Sequence, residues 1–398
     1  MKNIYLLVFV VLLYACAPIK EEEQDVDVIS WEDALKNDAS FLKSIDIIPL
    51  ETDSNTLIKI PSLFQYIKDI DAFLIFDSRQ TAYLFDGDGK HRSNSFACIG
   101  EGPQEYVMAV DAEYNPYSRS IELYNPHNKG SIHRYDLQFN WERTIKLNHS
   151  DGFTAHIMCL LKENLYALEP VRMNEEGLFV KLYDFRNGET VTADVPYDKS
   201  GYIAGINMMR KNYSVTDSCI YYVPDYMDYG FYQYDVDKES FTEIYRLDFG
   251  KENISKKELD DLYGVSKPAK GKDVLKSVAI MREKDDYLLF SQYPLPIIRL
   301  INDSYVYVHF IVNRKPHHLI YNRKTKKAFG LNPKSPLAMY RCYSLVDNAL
   351  YTILYPYELD KYINETNKKY LSEEALKRLE DIKEEDNPVV IKYILKNE

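Results

Sequence analysis

The stretch that decides the fold reads Tyr83-Leu84-Phe85-Asp86-Gly87-Asp88-Gly89-Lys90, a short strand pattern that ends in an aromatic residue and Asp and leads into a polar turn. The same pattern recurs five more times, in degenerate form at the last place. The recurrences are Ile132–Asp136, Lys181–Asp184, Phe231–Asp235, Leu319–Asn322 and Val390–Tyr393. The first four copies lie about fifty residues apart, which is the spacing of a four-stranded propeller blade. The sequence therefore predicts an all-β protein with the architecture of a six-bladed β-propeller.

Helical insertions account for the longer intervals before the fifth and sixth copies. Ser255 and Glu258 have the spacing of a capping box, and Leu259 and Leu262 follow on one helical face. A second helix is predicted from Ser372 to Ile382, and it must end before Pro388 because Pro cannot continue a helix. We therefore expect short helical insertions in the last blades.

A closed ring of blades needs a strand that joins its two ends. Unpaired strand N–H and C=O groups at an open seam are costly and promote aggregation. The N-terminal strand pattern Ile45–Leu50 is the natural candidate to complete the last blade beside Val389–Leu395. The sequence thus predicts a propeller that is closed by an N-terminal strand.

The N-terminus has the pattern of an export signal. Lys2 precedes an apolar run from Ile4 to Leu13, and Ala15 stands directly before Cys16. This arrangement resembles the lipobox of bacterial lipoproteins, in which cleavage leaves a lipidated Cys at the mature N-terminus. Residues 17–25, four of which are acidic, are typical of a solvated tether. They are also similar to a signal that sends some lipoproteins to the outer face of the outer membrane. The expected organisation is a signal peptide at 1–15, a lipidated acidic tether and lead-in at 16–43 and a propeller at 44–398.

Composition limits the partners of the chain. It carries 35 Tyr and 17 Phe against 15 Gly, which favours sheets, and its formal net charge is -12. So negative a protein offers no counter-ion surface to a phosphate backbone, which argues against a nucleic-acid partner.

Three further motifs support a family resemblance. They are Ile48-Pro49-Leu50-Glu51-Thr52, Gly100-Glu101-Gly102-Pro103-Gln104-Glu105-Tyr106 and Asp386-Asn387-Pro388-Val389-Val390-Ile391. Together with the lipobox and the blade period, the chain resembles the six-bladed β-propeller lipoproteins of Bacteroidota-type bacteria, whose blades are similar to NHL repeats. The resemblance implies a fold and a place in the cell envelope, as an outer-membrane lipoprotein with a surface-exposed body, and it implies no reaction.

Four residues are candidates for ligand binding. Glu105 and Tyr106 follow the glycines of the second motif, where backbone can approach a polar ligand, although both could equally lock an interblade connection. Tyr226 and Tyr229 lie in a probable loop of the densest Tyr cluster, where rings could stack on sugars, although sheet packing explains most Tyr on strands.

Catalysis is the alternative to binding. The chain has no local nucleophile, zinc or phosphate-loop motif, and Asp86–Lys90 lacks the later ligands of a calcium-binding EF-hand. Propellers of the lactonase kind assemble metal ligands from several blades. Asp111 and Glu113 could therefore contribute to a divalent-cation site, such as one for calcium. Solvated carboxylates are the simpler interpretation of these two residues. We expect no cofactor under the main hypothesis.

The sequence therefore favours a membrane-anchored lipoprotein whose propeller acts as a non-enzymatic binding module for glycans or partner proteins, held by a lipid on Cys16. The alternative is a metal-dependent hydrolase or a glycan-degrading enzyme with its site at the mouth of the propeller channel.

Overall fold

A computed structural model of the chain describes residues 26–37, 39–126, 130–147, 155–170, 180–184, 189–193, 211–224, 228–238, 240–255, 257–258, 261 and 287–397. Its strands in chain order are β1 (Asp27–Ser30), β2 (Leu42–Pro49), β3 (Pro61–Ile67), β4 (Ala72–Asp77), β5 (Ala82–Asp86), β6 (His91–Asn94), β7 (Asp111–Asn115), β8 (Ser120–Asn125), β9 (Ser131–Tyr135), β10 (Trp141–Lys146), β11 (Ala155–Lys162), β12 (Leu165–Pro170), β13 (Val180–Asp184), β14 (Glu189–Ala193), β15 (Tyr213–Val215), β16 (Ile220–Tyr222), β17 (Gly230–Asp235), β18 (Ser240–Asp248), β19 (Leu295–Ile301), β20 (Tyr305–Val312), β21 (Lys315–Asn322), β22 (Lys327–Leu331), β23 (Ser344–Val346), β24 (Ala349–Leu354) and β25 (Val389–Leu395).

The helices in the described part of the chain are few and short. Those with defined bounds are α1 (Trp31–Ala34), α2 (Leu359–Tyr362), α3 (Glu365–Lys368) and α4 (Glu373–Asp381), with 3-10 turns at Ala39–Phe41, Lys68–Ile70, Phe96–Cys98, Gly250–Glu252 and Pro356–Glu358. Described residues 257–258, 261 and 287–290 are also helical. Among the described residues, none of these helices has the length and apolar character needed to cross a bilayer.

The strands form six small sheets in the described residues. Sheet 1 is β3 to β6, sheet 2 is β7 to β10, sheet 3 is β11 to β14, sheet 4 is β15 to β18 with β1 at its outer edge, sheet 5 is β19 to β22, and sheet 6 is β23 to β25 with β2 at its outer edge. Apart from β1, which is parallel to β18, neighbouring strands within each sheet are antiparallel.

The sheets have a propeller-like arrangement. The first strand of each sheet lies innermost: β3 contacts β7, β7 contacts β11, β11 contacts β15, and β19 contacts β23. β23 in turn contacts β3, so the first and last sheets are neighbours. Apolar clusters fill the spaces between successive sheets, as where Leu74 and Leu84 of sheet 1 join one cluster with Ala112 and Leu123 of sheet 2. Burial of these faces is the main stabilising contribution to such an arrangement.

All six copies of the sequence pattern are third strands of their sheets, namely β5, β9, β13, β17, β21 and β25. In four of the six sheets, the acidic or amide residue at the end of this strand starts the turn to the fourth strand. Asp86 Oδ1 accepts hydrogen bonds from the backbone N–H of Asp88 at 3.0 Å and of Lys90 at 2.9 Å, and Gly89 supplies a φ of 85°. Equivalent bonds are made by Asp136, Asp235 and Asn322. The prediction of a turn at Asp86–Lys90 is confirmed.

The predicted closure by the N-terminal strand is confirmed. β2 pairs antiparallel with β25, and Ile47 lies opposite Ile391. Asn387, which is buried, fastens the seam with its side chain: Oδ1 accepts from the N–H of Ile58 at 2.8 Å, and Nδ2 donates to the carbonyls of Glu51 at 2.7 Å and Thr56 at 2.9 Å. Two of the motifs that carry the family resemblance therefore contact each other across the junction of sheets 6 and 1.

The described part of the chain before β2, which the sequence assigned to the tether and lead-in at 16–43, is folded onto the ring from Asp27 onward. β1 extends sheet 4, and the Trp31 ring packs edge-on against Phe310 of sheet 5 at 4.8 Å between centroids. A Cβ on Gly330 would lie 2.7 Å from the Trp31 ring, so this close approach requires Gly. We call residues 27–49 the strap, because it contacts sheets 4, 5 and 6 in turn.

The predicted helical insertions are present. Ser372 Oγ accepts from the N–H of Ala375 at 3.1 Å and caps α4, and α2 to α4 all lie between β24 and β25. Ser255 and Glu258 form the expected capping box, with reciprocal bonds of 2.8 and 3.2 Å.

Candidate functional site

A cavity of about 330 Å³ lies where the innermost strands of all six sheets meet. Every sheet contributes described residues to its wall, among them Gln65 of β3, Glu113 of β7, Leu160 of β11, Ser214 of β15, Arg299 of β19 and Ser344 of β23. Its size is at the lower end of the range for small-molecule pockets, about 300 to 1,000 Å³. Because it lies on the axis of the sheets, we call it the axial cavity.

Lys211 forms the polar centre of the axial cavity. Its Nζ donates to Asp111 Oδ2 at 2.6 Å, to the carbonyl of Ala112 at 3.0 Å and to the carbonyl of Met158 at 2.7 Å. The backbone N–H of Met158 also donates to Asp111 Oδ2, at 2.7 Å. Lys211 lies two residues before β15, the first strand of sheet 4, so its ammonium connects sheets 2 and 3 to that sheet.

Glu113 lies beside this ammonium and is paired with it. Its Oε2 is 3.1 Å from Lys211 Nζ, which makes an ion pair. The ammonium has three N–H donors and four oxygens within 3.1 Å, those of Asp111, Ala112, Met158 and Glu113. Glu113 is therefore held in the same polar cluster by its ion pair with Lys211.

Burial and the neighbouring charges set the pKa values of Glu113 and Lys211. Desolvation raises the pKa of Glu113 from 4.5 to about 7, against the attraction of Lys211 and with a further increase from Asp111. Burial by itself lowers the pKa of Lys211, but the charges of Asp111 and Glu113 outweigh it and the pKa is raised. Near neutral pH the cluster therefore holds a charged lysine and a Glu113 that can carry a proton.

A second buried ion pair, between Glu122 and Arg134, lies outside the lining of the axial cavity. Glu122 Oε1 accepts from Arg134 Nε at 2.8 Å and Nη2 at 2.6 Å, and Oε2 accepts from the Tyr166 hydroxyl at 2.7 Å. Asn115 donates to both Glu122 and Tyr166 at 3.1 Å. Since Tyr166 belongs to sheet 3, this buried network joins sheets 2 and 3 and leaves no group for a ligand.

The structure brings together two of the residues singled out in the sequence. Asp111 and Glu113 both form ion pairs with Lys211 from one side of β7, and Glu113 also lines the axial cavity. In the described part of the chain, no three His, Cys, Asp or Glu side chains are grouped so that they could hold a metal ion. At Asp111 and Glu113, the position between the carboxylates is taken by the lysine ammonium.

Glu105 and Tyr106 lie away from the axial cavity, in the connection between sheets 1 and 2. Glu105 Oε2 accepts from the N–H of Gly102 at 2.8 Å and lies over Gly100, where a Cβ would be 2.0 Å away. Tyr106 is fully buried, and its hydroxyl is 2.7 Å from Ser95 Oγ and donates to the carbonyl of Gln80 at 2.6 Å. These contacts are those of an interblade connection.

Tyr229 packs in the core between sheets 4 and 5. Its hydroxyl donates to the carbonyl of Pro294 at 3.0 Å, and its ring lies 5.1 Å from that of Phe249. Tyr226, Cys16 and residues 1–25 lie outside the described residues, so the lipidation site and this second Tyr stay predictions.

Sequence reasoning missed Lys211 and Gln65. Neither stands in a recognisable motif, and Lys211 lies 100 residues from Asp111 along the chain. The available signal was indirect, since a buried Asp and Glu on one strand face require a cation or a proton nearby.

Comparisons with known proteins support the fold. A family model described as "Domain of unknown function (DUF4934)" matches residues 25–393. The crystal structure of a Bacteroides fragilis protein that is provisionally named as exported is similar over 93% of this chain and 99% of that one, with a TM-score of 0.69 and 16% identity. A luciferin-regenerating enzyme aligns over 88% of this chain and 96% of its own, with a TM-score of 0.41 and 8% identity, which is too distant to support an inference. No curated protein matches the chain significantly.

Proposed function

The chain belongs to the family described as Domain of unknown function (DUF4934), and on that premise we propose that it is a membrane-anchored lipoprotein whose body, a closed six-bladed β-propeller, acts as a non-enzymatic binding module for glycans or partner proteins. The six sheets are its six blades, and the lipid is attached to Cys16. The body is held in the cell envelope, at the outer membrane and exposed at the surface.

The observation that supports binding best is the axial cavity. All six sheets build its wall, so its shape depends on the rigid ring and not on a single loop. The ring also brings Asp111, Met158 and Lys211 from three sheets to within hydrogen-bond distance of one another. Such a preorganised polar centre suits the recognition of a small ligand group, such as the end of a glycan chain.

The same cluster argues for binding over metal-dependent hydrolysis. A divalent cation between Asp111 and Glu113 would have to displace an ammonium that already makes three hydrogen bonds and two ion pairs. The carboxylates also lack a third ligand among the described acidic, His and Cys side chains. The enzymatic alternative therefore requires a rearranged site.

A thermal-shift screen of the purified full chain against a glycan library and divalent cations tests the proposal, because a ligand that binds only the folded state raises the melting temperature. Stabilisation by one or more glycans, with no product after prolonged incubation, would support the binding module. Stabilisation by Ca²⁺ together with glycan cleavage would replace it with the enzyme. For the anchor, incorporation of a labelled fatty acid that is lost in Cys16→Ala is expected, and labelling that survives this substitution would contradict it.

A further inference from the structure

The axial cavity opens at the end of the ring where the first strand of each sheet turns into the second. We call this opening the mouth. Lys211 lies two residues before β15 begins, and therefore at the far end of the cavity. The exposed residues that line the cavity all lie at the mouth, and they are Lys68, Asp69, Pro116, Tyr117 and Val215.

Acidic side chains surround the mouth. The six turns between first and second strands contain six acidic and two basic residues, so together they carry a net charge of -4. All eight side chains are exposed, and five of the six sheets contribute at least one carboxylate. The acidic residues, which we call the acidic ring, are Asp69, Asp71, Glu163, Asp217, Asp303 and Asp347, and the basic ones are Lys68 and Arg119. Charges of one sign around a cleft raise the local concentration of a partner of the opposite sign.

Lys68 shows that the acidic ring converges on a cation at the mouth. Its Nζ lies 2.8 Å from a carboxylate oxygen of Asp347, on sheet 6. The hydrogen bond and the charge of Asp347 raise the pKa of Lys68, and the charges of Asp217 on sheet 4 and of Asp69 raise it further. Carboxylates from three sheets therefore act on one ammonium at this place.

Two polar atoms inside the cavity have no hydrogen-bond partner among the residues that the structure describes. One is the hydroxyl of Tyr114, which lines the cavity and is only 6% exposed, and the other is Oε1 of Gln65. They lie on neighbouring inner strands, since β3 contacts β7. Burial raises the pKa of Tyr114, and the charge of Asp69 raises it further, so the hydroxyl is within electrostatic reach of the acidic ring. Both oxygens can accept a hydrogen bond from an N–H group that enters through the mouth.

The cations at the far end of the cavity do not cancel the acidic ring. Lys211 is paired with Asp111 and Glu113. The Arg299 guanidinium is directed at the carbonyl of Gly230, where β17 begins, which is the end of sheet 4 opposite to the acidic ring. The excess of negative charge is therefore found at the mouth.

The apolar residues at the mouth distinguish between two kinds of cationic ligand. Tyr117 and Val215 are 56% and 47% exposed there, beside the charged turns. Aromatic and apolar side chains among charged ones are typical of surfaces that bind proteins. A small polyamine would leave both side chains in water, whereas a protein segment can cover them while it presents a basic side chain to the acidic ring.

From these contacts we propose that the mouth of the axial cavity binds a basic segment of a partner protein, with one Lys or Arg side chain in the cavity that donates hydrogen bonds to Tyr114 and Gln65. This inference deepens the proposed function and rests on it, since it names the class of partner and the surface that binds it.

Model peptides test the charge requirement. A fluorescein-labelled eight-residue peptide of alternating Arg and Leu is compared, by fluorescence anisotropy on the purified full chain, with the same peptide carrying citrulline in place of Arg. We expect the Arg peptide to bind in a 1:1 ratio, at least tenfold more tightly than the citrulline peptide, and to lose affinity as salt increases. Equal affinities of the two peptides would overturn the proposal, and so would a spermidine affinity that equals that of the Arg peptide.

Variants locate the binding surface. The double variant Asp217→Asn/Asp347→Asn is expected to weaken binding of the Arg peptide at least fivefold, and Asn also tolerates the φ of 50° at position 347. The matched control is Glu384→Gln/Glu385→Gln, which removes two exposed carboxylates between α4 and β25, at the opposite end of sheet 6. The control should bind within twofold of the wild type. Equal weakening in both double variants would mean attraction to the overall negative charge and would refute the assignment.

Tyr114→Phe tests the entry of a side chain into the cavity. It removes only the hydroxyl, and we expect it to weaken binding of the Arg peptide at least threefold. Unchanged affinity would contradict entry into the cavity. Circular dichroism and the melting temperature of each variant verify that it is folded.

The outcomes separate this inference from the proposed function. If the Arg peptide does not bind but the glycan screen yields a ligand, the basic partner is wrong and the binding module stands. If the peptide titrations and the glycan screen are both negative, both proposals fail.

Discussion

Replacing Glu113 by Gln is expected to stabilise the folded protein at alkaline pH. The protonated carboxyl and the amide are close in shape, so the substitution mainly removes the charged form. Burial raises the pKa of Glu113 from 4.5 to about 7, so the folded state binds this proton more tightly than the unfolded state does. The penalty of the ionised carboxylate is therefore absent below about pH 4.5, grows as the pH rises and is complete above about pH 7.

The raised pKa sets the size of the effect. At about 1.4 kcal/mol per pKa unit, the change from 4.5 to about 7 makes the wild type less stable by about 3 kcal/mol at pH 8. At pH 5 the same linkage leaves a difference of less than about 1 kcal/mol. The free energy of unfolding of Glu113→Gln should therefore exceed that of the wild type by about 3 kcal/mol at pH 8, and the gain should shrink on acidification.

Urea denaturation at pH 5 and pH 8, followed by tryptophan fluorescence, measures both free energies. One of the two Trp residues of the chain, Trp31, is buried against sheet 5 and reports on the folded ring. Asp111→Asn is the contrasting variant, because it weakens the main partner of Lys211 and should destabilise at pH 8. A Glu113→Gln protein that is no more stable than the wild type at pH 8, or whose gain does not depend on pH, would refute the reasoning.

Three further perturbations test the core, the strap and the seam. Burial lowers the pKa of the His318 imidazole from 6.5 to about 3, so the wild type loses stability as the pH falls below 6.5. From pH 8 to pH 5, the stability of the wild type relative to His318→Phe should fall by about 2 kcal/mol. A constant difference in urea titrations would contradict this. Trp31→Ala removes a buried ring from the strap and should cost about 3 to 5 kcal/mol in the same assay, whereas a loss below 1 kcal/mol would mean that the strap is not docked. Asn387→Ala leaves the Ile58 N–H and the Thr56 carbonyl without their Asn387 partner, whereas the Glu51 carbonyl keeps the Thr56 hydroxyl, and we expect a loss of about 3 kcal/mol. Asn364→Ala, which removes the half-buried cap of α3, is the milder comparison at about 1 kcal/mol, and equal losses would contradict a special role of the seam.

The repeat could be recognised in the sequence because one local rule produces it in every sheet. A third strand needs apolar and aromatic residues for its buried faces and a side chain that starts the turn, and Asp86, Asp136 and Asn322 supply the turn bonds from within four residues. Closure was also predictable, since β2 and β25 are both apolar strands at opposite ends of the chain. Each of these predictions depends on short-range patterns or on the topology of a ring.

The strap and the polar centre could not be predicted, because each depends on a contact between distant segments. α1 is only four residues long, and Trp31 docks where Gly330 leaves room for its ring. Asp111 and Glu113 were recognisable as candidate acids, yet their pairing with Lys211 arises only after three sheets assemble. From the sequence, Glu105 and Tyr106 could either bind a ligand or hold the connection between two blades. Only the coordinates show that the Tyr106 hydroxyl contacts Ser95 and Gln80.

The pairing of β2 with β25 has a consequence for biogenesis. β2 leaves the ribosome, and under the export hypothesis crosses the membrane, long before its partner strand, so it must wait with an open edge until nearly the whole chain has followed. A protein interrupted in translation or secretion would carry five sheets and an unclosed gap, which proteases and chaperones can recognise. The ring can therefore close only once this last seven-residue strand has been made.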